Sequence, residues 1–572
     1  MIRGGTIIDG TGLPRYTADL GVLQGRIQAV GRITDAAAQT VDAHGLVVTP
    51  GFVDGHTHMD AQVMWDPLGS CSCYHGVTSV VMSNCGFTLA PCKAADRAWY
   101  EESLAYVEDI PKEAMRAGID WTWESFPEYL AAVEARPKAL NTSMYIGHSA
   151  VRMYVMGPRA TSEHATREEI ERMTAIVREA LLAGAIGFST SRSHTHRAPD
   201  GSPVASRAAA WDEIVAIVTM MGQLKRGIFQ LAPDILDRGA NQVFLQQVSA
   251  LALKHRVPIM FGILSTRQGE DPPAWQDQLE TIDAVNKAGG RMYGQGSTRS
   301  INAIFSLRSY LPFDVLDAWK SIRSLPLQEQ KVRLRDPQVR AQLVAAEAYM
   351  KPRDNKMQGG GAATTDARKP DYANLYAMFD VGWNDPSVDA LAKAKGCHPV
   401  ELMIDLCLAN EHQVFVQPIV NESREDLLEV LRHPNVLATF SDSGAHVAQE
   451  MGSSLQTHLL HYWVDQRKAF SLETAIRKLS YDNASAFGLK DRGRIAPGQW
   501  ADLLLLEEGQ VRPELPTVEF DLPGGARRLV QRASGIHKVF VNGQQTFEQG
   551  VPTANYPGRV LGADGLARGD YL

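Results

Sequence analysis

The chain has 572 residues, enough for several domains or for one large α/β barrel with an appendage. Its 57 Lys and Arg stand against 65 Asp and Glu, a formal charge of −8, which excludes a strongly basic, phosphate-seeking surface, so no nucleic-acid partner is expected. With 44% hydrophobic and 21% charged residues and no apolar run of about 18 residues, the composition is that of a folded globular protein without a membrane helix.

The opening residues up to about 48 read as short strands with turn punctuation: Thr6 to Gly10, Ala18 to Val22 and Arg26 to Gly31. The opening segment has no basic stretch followed by an apolar one, so a cytoplasmic protein is expected. Six cysteines are too few for a disulfide framework, which fits a reducing compartment. Between about 50 and 480, apolar strand runs alternate with helical patterns. The strand leading into Val53 is followed by Ser79 to Met82, Ser143 to Ile146, Ala185 to Ser189, Gly227 to Leu231, Pro258 to Leu264, Arg291 to Gly294 and Val436 to Phe440. The clearest helix runs from Thr166 to Leu182, opens with a Thr166/Glu169 capping box and puts Ile170, Met173, Val177, Ala180 and Leu181 on one stripe. Eight β/α units predict an α/β fold, a TIM-like (β/α)8 barrel over 49–485, with functional residues at the C-terminal ends of its strands. The span of about 300–435 is too long for a crossover and reads as an insertion; its Gly-rich Met350 to Pro370 stretch is an expected active-site lid. The far end returns to strands, Ala501 to Leu506 and His537 to Gly543, so 1–48 and 486–572 are expected to pair into one small composite β-sandwich.

The sharpest chemical signal is Pro50-Gly51-Phe52-Val53-Asp54-Gly55-His56-Thr57-His58. Residues i and i+2 of a strand point the same way, so His56 and His58 present two imidazoles to one cation, zinc or a similar divalent metal.

These residues, with Ser441-Asp442 at the end of the last predicted strand, resemble the amidohydrolase superfamily, whose barrels carry an HxH pair after strand one and an Asp after strand eight. His75 to Thr78, Asn84-Cys85-Gly86, Ala90-Pro91, Gly147-His148, Gly187 to Thr190, Arg492 to Gly498 and Ala501 to Leu503 are similar to its D-aminoacylase (N-acyl-D-amino-acid deacylase) branch. The resemblance implies that His56, His58 and Asp442 ligate the more buried metal, that Cys85 is a ligand too, and that Asp442 takes a proton from the attacking water. The implied cofactor is Zn2+, one or two ions, with another divalent metal as the alternative. The implied partner is a small acylated substrate, with neither nucleic acid nor membrane, and a homo-oligomer is compatible with it.

The chain also departs from the branch, whose members carry one histidine on strand five and another on strand six. Here those runs are Gly227-Ile228-Phe229-Gln230-Leu231 and Pro258 to Leu264, without histidine. A Gln230 amide is a weak zinc ligand, so the second site is absent or rebuilt. His148 after the third predicted strand and His196 in Ser191 to Arg197 are candidate replacements, as ligands or proton-transfer groups; His194 reads as a loop residue, and His446 as either inward-facing or structural. Arg192 and Arg299 follow strand ends and are candidates to clamp a substrate carboxylate. The expected activity is hydrolysis of a C–N amide bond, with an N-acyl-amino acid as substrate. The rival readings are a cyclic amide, lactone or ester hydrolase on the same metal, more remotely a lyase or decarboxylase, and a degenerate barrel kept for binding.

Overall fold

The computed structural model describes residues 1–198, 200–234, 238–264, 274–350, 369–448 and 451–562. Its centre is the eight-stranded parallel barrel expected from the alternating pattern: β1 (Phe52–Asp54), β2 (Val77–Met82), β3 (Asn141–Gly147), β4 (Gly187–Ser191), β5 (Ile228–Ala232), β6 (Ile259–Gly262), β7 (Met292–Gly296) and β8 (Val436–Ala438). Every residue of β2, β3 and β4 is buried, as a parallel sheet covered on both faces requires. Along β2 the side chains alternate: Val81 belongs to one buried cluster with Val53, Tyr145, Ile228, Met260 and Leu437 from the other strands, while Val80 and Met82 join the core under the helices. The predicted helix is Arg167–Ala183, capped by Thr166 and Glu169 in both directions, with Met173, Val177, Ala180 and Leu181 buried.

The barrel closes through a second pair of short strands, His56–Thr57 running parallel to Phe440–Ser443. Phe440 pairs with His56 and Ser443 with Thr57, so one strand advances three residues while the other advances one. Ser441 and Asp442 are thereby forced out of register as a bulge, a device that re-aims side chains. The His58 N–H donates to the Ser443 carbonyl at 2.7 Å and locks the seam.

Between β7 and β8 stands a unit with its own core, built on the antiparallel strands Ile301–Ser306, Val414–Val420 and Tyr376–Ala377, with Phe313, Trp319, Leu375 and Phe415 buried within it. Of the expected lid, residues 351–368 lie outside the described residues.

Both chain ends combine in one nine-stranded sheet, in which Val47–Pro50 runs antiparallel to Leu503–Leu506. Leu503 and Leu505 face the sheet's own core with Ile7, Leu20 and Ile27, and Leu504 and Leu506 face the main core of the molecule. No helix among the described residues is long and apolar enough to cross a membrane.

Candidate metal centre

The seam strands carry three of the four donors to one point. His56 and His58 lie two residues apart with side chains 1% and 3% exposed, and the Nε2 atoms of their rings stand 3.4 and 3.2 Å from Asp442 Oδ1. Asp442 reaches them from the bulge with its backbone in the left-handed region, φ +55°. Gly444 lets this loop cross the HxH segment: its φ is +96°, and a Cβ there would sit 2.6 Å from the His58 carbonyl carbon.

The fourth donor comes from the turn after β2. Ser83 and Cys85 both have positive φ, +64° and +58°, and swing the Cys85 thiol to 3.4 Å from His56 Nε2. Neighbouring strands hold this strained turn. The Cys85 N–H donates to Gln230 Oε1 on β5 at 2.9 Å, and the Gly86 N–H to Ser189 Oγ on β4 at 3.0 Å. Asp60 accepts from the Ser83 N–H at 3.0 Å and also from its hydroxyl.

Among the described residues, His56, His58 and Cys85 form the one group of three or more His, Cys, Asp or Glu whose donor atoms all lie within 4.8 Å of one another. Asp442 Oδ1 is buried and takes no hydrogen bond. Two imidazoles, a thiol and a carboxylate with an uncommitted oxygen are a donor set that suits a divalent cation of borderline softness. The electrostatics agree. Burial opposes a charge on His58, yet the facing carboxylates of Glu108 and Asp442 outweigh it and favour positive charge there. Burial likewise opposes ionisation of Asp442, but the His58 and His56 rings hold its carboxyl well below the usual range. Burial, helped by the His58 charge, draws His56 down to about 4, and burial, helped by the Asp442 and Glu108 carboxylates, pushes the Cys85 thiol up to about 11, so His56 is a neutral imidazole.

The other candidates fall elsewhere. His148 has both ring nitrogens engaged outside the donor cluster: its Nδ1 bonds Thr190 Oγ1 at 2.8 Å and its Nε2 donates to Glu213 Oε1 at 2.6 Å. Glu213 is shared with Arg152 in a fully buried network. His196 bonds Ser191 Oγ through Nδ1 at 2.7 Å and lies edge-on to Phe87, outside the donor cluster. His194 pairs with Asp234 in the loop. Arg192 Nη1 is tied to the carbonyls of Arg207 and Ala209, at 3.3 and 2.9 Å, as a loop clamp. Arg299 lines the cleft that opens on Asp442, together with Ser300, Asn302, Ser441 and Met451; its Nη1 donates to the Met451 carbonyl at 3.1 Å and to Ser454.

Three residues enter that the motifs did not single out in these roles. Gln295 on β7 accepts from His56 Nδ1 at 3.0 Å, and its amide donates to the Gly55 carbonyl at 3.2 Å. Gln230, weighed above as a poor ligand, is a strut: its oxygen holds Cys85 and its amide nitrogen lies 3.3 Å from Gln295 Oε1. On β6 the residue in register with it is Met260, which offers no nitrogen or oxygen. Glu108, at the end of the helix Arg97–Val107, faces His58 Nδ1 at 3.6 Å and His446 Nε2 at 3.9 Å, and burial pushes its carboxyl up to about 7. A signal for it existed in the sequence: Glu108 continues the apolar stripe of Tyr100, Leu104 and Val107, where a carboxylate is out of place.

The profile of the amidohydrolase family matches residues 39–547. D-aminoacylase of Alcaligenes xylosoxydans xylosoxydans is 30% identical over 573 aligned positions, covering 98% of this chain and 97% of its own. Two solved structures share the fold over 98% of both chains with a TM-score of 0.65. One is a D-aminoacylase with a binuclear metal centre, 23% identical, and the other is N-acyl-D-glutamate deacylase from Bordetella bronchiseptica in complex with zinc and a phosphonate inhibitor, 20% identical. The chain therefore belongs to the amidohydrolase family, in its D-aminoacylase branch, and is a metal-dependent hydrolase of carbon–nitrogen bonds other than peptide bonds.

Proposed function

We propose that the chain hydrolyses the amide bond of N-acyl-D-amino acids at a single divalent cation, zinc in the first instance, held by His56, His58, Cys85 and Asp442. The observation that carries this reading is the convergence of those donors on the barrel seam beside a cleft walled by polar residues. The relatives support the substrate class, since one is a D-aminoacylase and another an N-acyl-D-glutamate deacylase bound to zinc. One cation rather than two accords with the absence of histidine from β5 and β6, where Gln230 and Met260 stand in register, and with the one-metal activation ascribed to a D-aminoacylase of this fold.

When bound, the cation supplies Lewis acidity for the scissile carbonyl and lowers the pKa of water. The protein's own part begins with Gln295, which fixes the His56 ring by accepting from Nδ1 and leaves Nε2 as the donor. Asp442 stays ionised at neutral pH and takes the proton of the attacking water on a carboxylate oxygen. It then returns that proton to the leaving amine nitrogen as the acyl bond breaks. Replacing Asp442 by Asn is expected to lower hydrolysis of N-acetyl-D-amino acids by about 100-fold or more. The assay is run against N-acetyl-L-amino acids, cyclic imides and lactones, with metal content measured on the same samples. An Asn variant that keeps both its metal and full activity removes the role assigned to Asp442, and turnover of imides or lactones in place of N-acyl-D-amino acids removes the substrate class.

A further inference from the structure

We infer that Glu108 is the positioning carboxylate of the metal centre, acting through the distal nitrogen of His58. The inference rests on the metal-site reading above and adds to it a residue outside every motif named in the sequence.

Glu108 is 3% exposed and makes no ion pair with lysine or arginine among the described residues; it faces the His58 and His446 rings, and the Asp442 and Asp60 carboxylates act on it as like charges. A carboxylate buried without a guanidinium or ammonium partner is costly, so its place calls for a compensating role. Glu108 Oε1 and His58 Nδ1 are both buried, both lack any hydrogen-bond partner, and face each other at 3.6 Å. Two orphaned groups, one an acceptor and one able to donate, are thus each other's nearest complement.

The backbone holds Glu108 in this position. Its N–H donates to the Leu104 carbonyl at 2.9 Å as the helix ends, and its own carbonyl accepts from the His446 N–H at 2.5 Å. Asp109 and His446 flank that contact with left-handed backbones, φ +50° and +49°. The loop after β8, which delivers Asp442, is therefore clamped to the residue that faces His58.

An imidazole that binds a cation through one nitrogen donates the other N–H to an acceptor, which fixes tautomer and ring orientation. The two histidines of the seam divide this role between different acceptors. His56 gives its Nδ1 to the neutral amide of Gln295, whereas His58 turns its Nδ1 to the carboxylate of Glu108. The carboxylate makes His58 the more basic donor of the pair. In a centre without the strand-five and strand-six histidines, that added donor strength tightens the hold on the single cation.

The test uses the full chain carrying Glu108→Gln, an isosteric change that keeps an acceptor and removes the charge. Zinc affinity is measured by competition with a chromophoric chelator, the visible spectrum is recorded after cobalt loading, and the metal-free protein is melted in parallel. The expected result is zinc binding weakened by about 10- to 100-fold with a shifted cobalt spectrum, while the metal-free melting temperature stays at or above the wild-type value. Unchanged zinc affinity together with an unchanged cobalt spectrum overturns the inference. Should the Gln variant not fold, Glu108→Asp, which keeps the charge and withdraws it by one methylene, is read in the same way: weaker zinc binding supports the role and wild-type affinity overturns it. Wild-type protein that binds neither zinc nor cobalt instead sinks the metal-site reading itself, so the two failures are distinguishable.

Discussion

Cys85 can face His56 only because its backbone is bent into a conformation that a side chain disfavours, and the strain is held in place by Gln230 and Ser189. Removing that support is predicted to separate stability from chemistry. Gln230→Leu leaves the Cys85 N–H without its acceptor, at a cost of about 1–3 kcal/mol in denaturant unfolding, and bound metal per chain falls with it. A variant with wild-type stability and full metal content contradicts the strut role. At this scale the motif residues were legible, since the spacing of His56 and His58 and the Asn84-Cys85-Gly86 signature survive in sequence. What could not be read were partners brought from afar. Glu213, 65 positions from His148, commits both the histidine and Arg152 to the interior. Glu108 and Gln295 likewise meet their histidines only once the barrel has closed.

The element that matters most is the seam between His56–Thr57 and Phe440–Ser443, where two residues too many on one strand turn Asp442 toward the imidazoles. The passage of Gly444 over the His58 backbone makes the seam sensitive to a single methyl group. Gly444→Ala combines a positive-φ penalty of about 1–3 kcal/mol with a contact at 2.6 Å, so we predict a lower melting temperature and loss of bound metal together. A variant that melts lower while keeping stoichiometric metal shows that the crossing does not position the site. The eight strands and the capped helix Arg167–Ala183 follow from local periodicity and capping, which are properties of neighbouring residues. The bulge does not. Val436 to Phe440 reads as one apolar strand, yet the chain breaks it at Thr439, because closing the barrel needs a change of register that no local pattern encodes.

Across the whole molecule, polar groups join the end sheet to the barrel and tune its response to acid. The buried Arg492–Asp502 pair, at 2.5 Å, adjoins Asn141 on β3, and Asn542 of the end sheet donates to Asn141 Oδ1 at 2.7 Å. His75 bridges Thr457 Oγ1 and the Gln531 carbonyl, at 2.8 and 3.2 Å, and burial lowers its pKa to about 3. A neutral buried histidine contributes its full stability above the unfolded pKa of about 6.5. As pH falls below that value the unfolded chain takes up a proton that the folded state refuses, and stability drops until about pH 3. Urea unfolding at pH 7 and pH 5 is predicted to show a loss of at most about 2 kcal/mol from this residue, with a smaller loss in His75→Asn. An equal loss in variant and wild type contradicts the assignment. The fold class was the most legible feature at this scale, since alternating β and α patterns leave few architectures open. The joining of the two ends was suggested by their strand-like composition, but its register, with Leu503 opposite Pro50, depends on pairing across some 450 residues of chain.

The proposed hydrolysis depends on a divalent cation bound by His56, His58, Cys85 and Asp442. Its most direct test is elemental analysis of protein purified without chelators, followed by amide hydrolysis before chelation, after chelation, and after stepwise return of zinc. One tightly held equivalent per chain is expected, with activity abolished on its removal and recovery complete at one equivalent. Protein that hydrolyses its substrate equally well with no metal bound would contradict it.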